Sequence, residues 1–217
     1  MSPEPPVIAG DLTAGAPDAS EDPAEWVGRD VTGELTGHAG TSSEVSGSRL
    51  ADVRLTAAVF DGARFTDVEV IDAELSAASL HRAALTRVSF LRCRMRGVVL
   101  AGAVLREVTF TECLLDEANL REVEGASLRL QGCQLVGADL SRARLERAAI
   151  FDCDLTDAAF DGAEVRGLRL HGSRVDGLRG ADGLAGAVIE ASQVISLAPA
   201  LLAAAGIEVD DDREPGV

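Results

Sequence analysis

The sequence predicts an all-β solenoid, a chain that coils around four sides, closed by a short C-terminal α-helical cap. Two columns of apolar residues carry this prediction, together with the spacing of the cysteines. Large apolar residues fill every fifth position from Val45 to Val175, 26 of 27 positions, with Gly125 the exception. A second column, two residues earlier, is mostly Ala, Val or Cys, with Leu128 and Leu168 as bulky exceptions.

Neither common secondary structure explains a five-residue period. On an α-helix, successive apolar residues would advance by about 140° and form no single stripe. On an ordinary strand they would alternate between the two faces. The period fits a coil that turns a corner every five residues and points one large and one small side chain inward on each side.

The four cysteines set the number of sides. All lie in the small column and each is 20 residues from the next, so four pentapeptides make one coil and the thiols stack. Rungs of such a coil are about 4.8 Å apart. We predict a structural core ladder of Cys93, Cys113, Cys133, Cys153, Phe90 and Phe110. Thiols in a line do not converge on a metal ion. We therefore expect the cysteines to act as small apolar core residues, with no metal site and no cofactor.

The ends of the chain differ from the middle. We predict a disordered acidic tail at 1–24, an N-terminal cap with a first partial coil at 25–44, the solenoid at 45–180, a helical cap at 181–209 and an acidic tail at 210–217. Trp26 is expected to cover the open end of the first coil. Pro199 is expected to divide the cap into helices at 190–197 and 199–205, with Gly206 as the C-terminal cap.

Several pentapeptides match a known motif. The segments ANLRE (118–122), ADLSR (138–142), AELSA (73–77) and ARLER (143–147) resemble the A(D/N)LXX motif of bacterial pentapeptide repeat proteins, and the resemblance covers about 45–177. It implies a right-handed quadrilateral β-helix. It also implies a homodimer, because C-terminal helical modules of this family commonly form a two-fold interface, here through Val194, Ile195, Leu197, Leu201 and Leu202. The alternative is a monomer whose cap packs on its own last coil.

The same resemblance suggests a partner. Some family members confer quinolone resistance by binding DNA gyrase or topoisomerase IV as acidic mimics of duplex DNA, which implies a topoisomerase partner for this chain. The candidate acidic partner-binding residues are Asp116, Glu117, Asp152, Asp154 and Asp157, with Asp210, Asp211 and Asp212 in the tail. The alternative is a rigid scaffold with an unrelated protein partner, whose interleaved Arg and carboxylates form rung-to-rung ion pairs.

The charge distribution bears on both hypotheses. The net charge of −16 argues against direct binding of nucleic acid. However, residues 1–44 carry 9 acids and one Arg, 185–217 carry 6 acids and one Arg, and 45–184 carry 21 acids and 18 Arg. Duplex DNA as long as the expected rod, about 32 Å, carries about 19 charges. The nearly neutral rod therefore weakens the case for DNA mimicry.

No sequence feature indicates catalysis. The chain has no Walker A, GxSxG or HExxH motif, and His38, His81 and His171 have no ligand or triad spacing. Neither a transmembrane stretch nor an export signal is visible. We therefore expect a cytoplasmic, non-enzymatic protein with no small-molecule substrate and no membrane association.

Overall fold

The chain forms a parallel β-solenoid of about eight turns with one short C-terminal helix. A computed structural model describes residues 2–14 and 25–209. Within these ranges, fifteen strands belong to one continuous sheet. They are β1 (Thr13–Ala14), β2 (Glu25–Val27), β3 (Arg29–Glu34), β4 (Glu44–Arg54), β5 (Arg64–Ile71), β6 (Ala84–Leu91), β7 (Val104–Arg106), β8 (Thr109–Thr111), β9 (Glu124–Ala126), β10 (Arg129–Gln131), β11 (Arg144–Glu146), β12 (Ala149–Phe151), β13 (Glu164–Arg166), β14 (Arg169–His171) and β15 (Val188–Ile189).

From β4 to β14, each residue pairs with the residue 20 positions later, as the cysteine spacing predicted. Leu85 pairs with Leu105, for example, and Phe110 with Leu130. We name the four sides by their large inward residues. Face 1 contains Leu105 and Leu145, face 2 Phe110 and Ile150, face 3 Leu115 and Leu155, and face 4 Leu120 and Phe160. Faces 1 and 2 carry the strands, whereas faces 3 and 4 are joined by single bridges such as Leu114–Gln134.

The corners share one backbone conformation that the sequence analysis missed. From Ser42 to Gly177, the residue two positions after each large inward residue has φ between 49° and 70°. Ten of these 28 corner positions are Gly, which adopts the left-handed region without a Cβ clash. The other eighteen carry side chains, which makes this conformation less favourable. The repeated occurrence of Gly at this position could have indicated the left-handed conformation from the sequence.

The core is built from the two predicted columns. Phe90 and Phe110 stack at a centroid distance of 4.7 Å with their rings nearly parallel. At Gly125, where the large column is interrupted, Leu128 of the small column fills the space. A Cβ on Gly125 would lie 2.9 Å from Leu145 Cδ2 and 3.5 Å from Leu128 Cδ2. Only about 10 Å³ of apolar cavity remains around them. The two sequence irregularities therefore compensate each other.

The first coil is one residue shorter than the regular 20-residue coils between β4 and β14. Trp26 pairs with Val45, 19 residues away, and the register shifts between Val31 and Gly33. Trp26 is 2% exposed and stacks on His38 at 5.6 Å, so it covers the end of the core as predicted.

The predicted disordered tail at 1–24 is wrong for part of its length. Thr13 and Ala14 pair with Arg29 and Asp30, and the Val7 N–H donates to Asp67 Oδ1 at 3.0 Å. The open edge of the first coil supplies backbone partners that composition alone does not reveal. Residues 15–24 lie outside the described residues.

The C-terminal cap starts with a 3₁₀ helix at Ala181–Leu184, and β15 then adds a last rung to face 2. After a second 3₁₀ turn at Ala191–Gln193, helix α1 runs unbroken through Val194–Ala204. The predicted break at Pro199 is therefore wrong. Pro199 removes one hydrogen bond, to the carbonyl of Ile195, but Ile195 is 84% exposed, so water can satisfy that carbonyl.

Gly206 ends helix α1 as predicted, with φ of 69°. The Ile207 N–H donates to the Leu202 carbonyl and the Gly206 N–H to the Ala203 carbonyl, which is a Schellman motif. Asp210, Asp211 and Asp212 lie outside the described residues. Among the residues described, no helix is long and apolar enough to cross a membrane.

Candidate protein-interaction surfaces

Ion pairs follow the rungs of the solenoid. Within residues 2–14 and 25–209, ten Arg–carboxylate pairs form, and eight of them join residues 20 apart. The shortest are Arg87–Asp67 and Arg92–Asp72, each at 2.7 Å. The hydrogen bond from Arg87 is the main reason that the pKa of Asp67 is lowered, and the Val7 N–H adds to it. Because most of these pairs are exposed, each contributes little alone.

The five candidate acidic residues all lie on face 3 or at its corners. Asp116 and Asp154 project from the face itself, and Glu117 and Asp157 occupy one corner column two rungs apart. Asp152 lies at the opposite corner. The fold therefore brings together residues that the sequence predicted only as separate clusters.

Three of these five carboxylates are engaged within the chain. Asp116 accepts from the Val136 N–H at 3.2 Å, and Asp152 accepts from the Gln131 amide at 2.7 Å. Asp154 pairs with Arg174 at 3.0 Å. Burial alone would raise the pKa of Asp154, but hydrogen bonds from Thr156 and the charge of Arg174 lower it overall.

The other two face 3 candidates are more available. Glu117 has a side chain that is 72% exposed and lies 4.0 Å from Arg96, and Asp157 is exposed at its corner. The sequence analysis missed Asp176, which lies in the same column as Asp116. Asp176 lines a groove of about 500 Å³ between face 3 and the cap, and it accepts from the Ser196 hydroxyl at 2.6 Å. Asp176 follows Asp116 by three 20-residue steps, through positions 136 and 156, and this spacing could have placed it on face 3 from the sequence alone. A role for any of these acids in binding stays a prediction.

The cysteines form the predicted ladder inside the rod. All four are buried, free thiols. Three of the thiols donate to backbone carbonyls of their own and the preceding rung, as Cys93 does to Val70 and Leu91 at 3.4 Å, and Cys153 donates to Phe151 of its own rung. Hydrogen bonding to Cys133, followed by burial, raises the pKa of Cys113 and Cys153. Buried thiols that donate to backbone carbonyls inside an apolar core behave as small apolar side chains.

The predicted dimer interface is only partly available. Ile195 is 84% exposed, Val194 49% and Leu201 43%, while Leu202 is half-buried. Leu197 is 1% exposed and belongs to the chain's own core, so its assignment to the interface is wrong. It faces the last coil because the helix must bury one side to close the solenoid. Val188, Ile207 and Val209 add exposed apolar surface in the cap that the predicted interface did not include.

Comparison with known families agrees with this architecture. A family model described as "Pentapeptide repeat region" matches residues 43–120, and one described as "Pentapeptide repeats (8 copies)" matches 103–142, 129–167 and 138–177. The chain belongs to the pentapeptide repeat family. No curated protein sequence matches it.

Solved structures of this family share the fold. A trypsin-treated form of QnrB1, described as a plasmid-mediated fluoroquinolone resistance protein, is similar with a TM-score of 0.61 and 16% identity. The match covers 92% of this chain and 100% of that one. Full-length QnrB1 has a TM-score of 0.53 and 18% identity, with 83% of this chain and 93% of that chain covered. At these identities the likeness concerns the fold alone.

Proposed function

We propose that this pentapeptide repeat protein is a non-enzymatic, rigid protein-interaction module whose partner is DNA gyrase or topoisomerase IV. The observation that carries the proposal is the fold, a continuous four-sided rod whose sides present fixed rows of side chains. Its likeness to a fluoroquinolone resistance protein supports the choice of partner. On this proposal the chain modulates quinolone susceptibility.

Face 3 is the side we assign to the topoisomerase. It gathers the five candidate acids and adds Asp176, and Glu117 and Asp157 are its most available carboxylates. A homodimer joined through Val194, Ile195 and Leu201 would place two such rods end to end and double the length of the surface. Both assignments are parts of the proposal.

A titration tests the topoisomerase assignment. Gyrase supercoiling is measured with and without a fluoroquinolone as the purified protein is added. We expect inhibition or protection at micromolar protein, weakened by the double substitution Glu117→Gln with Asp157→Asn. The control pair, Asp161→Asn with Glu164→Gln, removes two exposed acids from faces 4 and 1. If the unaltered protein neither inhibits supercoiling nor protects gyrase from the fluoroquinolone, the topoisomerase assignment is refuted.

A second candidate is a scaffold for an unrelated protein. The eight rung-to-rung ion pairs and the nearly balanced charge of 45–184 favour it, because they leave no uninterrupted acidic stripe. Equal responses to the face 3 pair and the control pair in the gyrase assay would favour this candidate.

A further inference from the structure

One part of face 2 lacks carboxylates altogether. In this part of face 2, the outward residues belong to the paired strands β6, β8, β10, β12 and β14. We call ten of these residues the face 2 strip: Ser89, Leu91, Thr109, Thr111, Arg129, Gln131, Ala149, Phe151, Arg169 and His171. The chain has 36 acidic residues, yet the strip has none and carries two Arg. It spans five rungs, about 19 Å.

An aromatic ring organises the cationic end of the strip. The Arg129 guanidinium carbon lies 5.0 Å from the centre of the Phe151 ring, and that of Arg169 lies 6.0 Å from it. The His171 ring lies 5.7 Å from the same ring. Arg129 also donates to Gln131 Oε1 at 2.8 Å. Cation–π contact and this hydrogen bond hold the guanidinium groups in place without neutralising them.

The two arginines differ from most others on the rod. Arg87 and Arg142, for example, find a carboxylate one rung away. The positions one rung from Arg129 are Thr109 and Ala149, and those from Arg169 are Ala149 and Val188. Within the described ranges 2–14 and 25–209, neither arginine forms an ion pair. Their charges are therefore available to a ligand.

Acidic groups do border the strip. Asp152 lies at the corner beside it, where its carboxylate accepts from Gln131. Glu190 lies 4.0 Å from His171 Nδ1, and His171 Nε2 is buried with no hydrogen-bond partner among the described residues. Both carboxylates sit at the edges and leave the two guanidinium groups unpaired.

We infer that the face 2 strip is a docking surface for an acidic, extended segment of a partner protein. Charge complementarity selects the occupant: two fixed cations beside an aromatic ring fit carboxylate side chains and apolar stem atoms. A long polyanion such as DNA does not fit, because two arginines cannot offset repulsion by a chain of net charge −16.

The rung spacing specifies the ligand further. Arg129 and Arg169 are two rungs apart, about 10 Å, and three residues of extended chain span the same distance. A segment that runs along the rod axis in the polyproline II conformation therefore reaches both arginines with carboxylates three residues apart, because three residues complete one turn of about 9 Å and return the side chain to the same side. The inference rests on the proposed interaction role, but its test uses no topoisomerase, so the two can fail separately.

The experiment measures fluorescence anisotropy with a labelled peptide, Ser-Gly-Glu-Ser-Gly-Glu-Ser-Gly, and the full chain. We expect saturable binding that weakens with added salt, and that falls by about tenfold in the double variant Arg129→Gln with Arg169→Gln. Phe151→Ala should also weaken binding, because the ring holds both guanidinium groups. A peptide with Gln in place of Glu should not bind.

A matched pair provides the control. Arg106 and Arg147 also lack an ion pair among the described residues and lie two rungs apart on face 1 and its corner, with no aromatic ring beside them. Arg106→Gln with Arg147→Gln should change binding less than twofold. The inference is overturned if the chain does not bind the peptide up to millimolar concentration, or if both double variants lose binding equally. It is also overturned if the Gln peptide binds as well, if a short DNA duplex binds the strip better, or if the strip substitutions abolish self-association instead.

Discussion

Leu128→Ala should be among the most damaging single substitutions in this rod. Leu128 occupies a column reserved for small residues and is 5% exposed. It fills the space that Gly125, in the middle of β9, leaves open. Leu105 and Leu145 stack directly above and below Gly125 and are fixed by the rung pairing, so they cannot collapse into a void.

The expected loss follows from the groups removed. Three buried carbons represent about 2.4 kcal/mol of transfer free energy. The new void of about 80 Å³ adds about 2 kcal/mol. The free energy of unfolding should fall by about 4 kcal/mol. Gly125→Leu alone should also destabilise, by about 1–3 kcal/mol, because the new side chain would overlap Leu128 and Leu145.

A double-mutant cycle tests the compensation. Gly125→Leu with Leu128→Ala restores the regular pattern of large and small columns, so its stability should return to within about 1–2 kcal/mol of the unaltered chain. Urea unfolding followed by circular dichroism gives the midpoints of all four proteins. If the two single effects simply add in the double variant, the compensation described here is wrong.

Three further predictions use other parts of the structure. Ile195→Asp should convert a dimer to a monomer in sedimentation analysis, whereas Ser192→Asp, on the preceding turn, should not; equal behaviour would contradict a cap-mediated dimer. Gly62→Ala should cost about 1 kcal/mol in urea unfolding, because φ is 67° there and the new Cβ would meet only Ser42 Oγ at an ordinary contact distance of 3.6 Å, which leaves backbone strain as the main cause. Ala57→Gly at φ of 54° should be neutral or stabilising. Because the pKa of Asp67 is lowered in the folded chain, its contribution is present at neutral pH and lost as pH falls below its unfolded value of about 4. Asp67→Asn should therefore destabilise at pH 7 and have little effect near pH 2, and an equal effect at both would refute this.

Most of the solenoid could be predicted because two side chains in every five, one large and one small, point inward at a fixed spacing. The positions of Val45 to Val175 and the stacking of the cysteines follow from that count alone. The conformation of the corners could not be predicted in the same way, because Arg, Glu and Asp occupy many of them and do not favour positive φ. At the corners, hydrogen bonding between rungs fixes the backbone conformation and overrides the preference of these residues for negative φ.

The ends and surfaces were harder to predict. Pro199 suggested a break because local rules ignore solvent access to the Ile195 carbonyl. Leu197 was indistinguishable from its exposed neighbours until the helix orientation was known. The residues of the face 2 strip can be predicted to share one side of the solenoid, because they are spaced 20 apart in the sequence. The contact between Phe151 and the two arginines could not be predicted, because it depends on side-chain orientation.

The pairing of each residue with the one 20 positions later also constrains how such a chain can change in length. Duplication of one coil would lengthen every face by a rung and leave each stripe of side chains on its own side. Insertion of a single pentapeptide would keep the core intact but rotate everything beyond it by a quarter turn. The arginines of face 2 would then join a different side, so a rod can remain folded while its binding surface is dismantled.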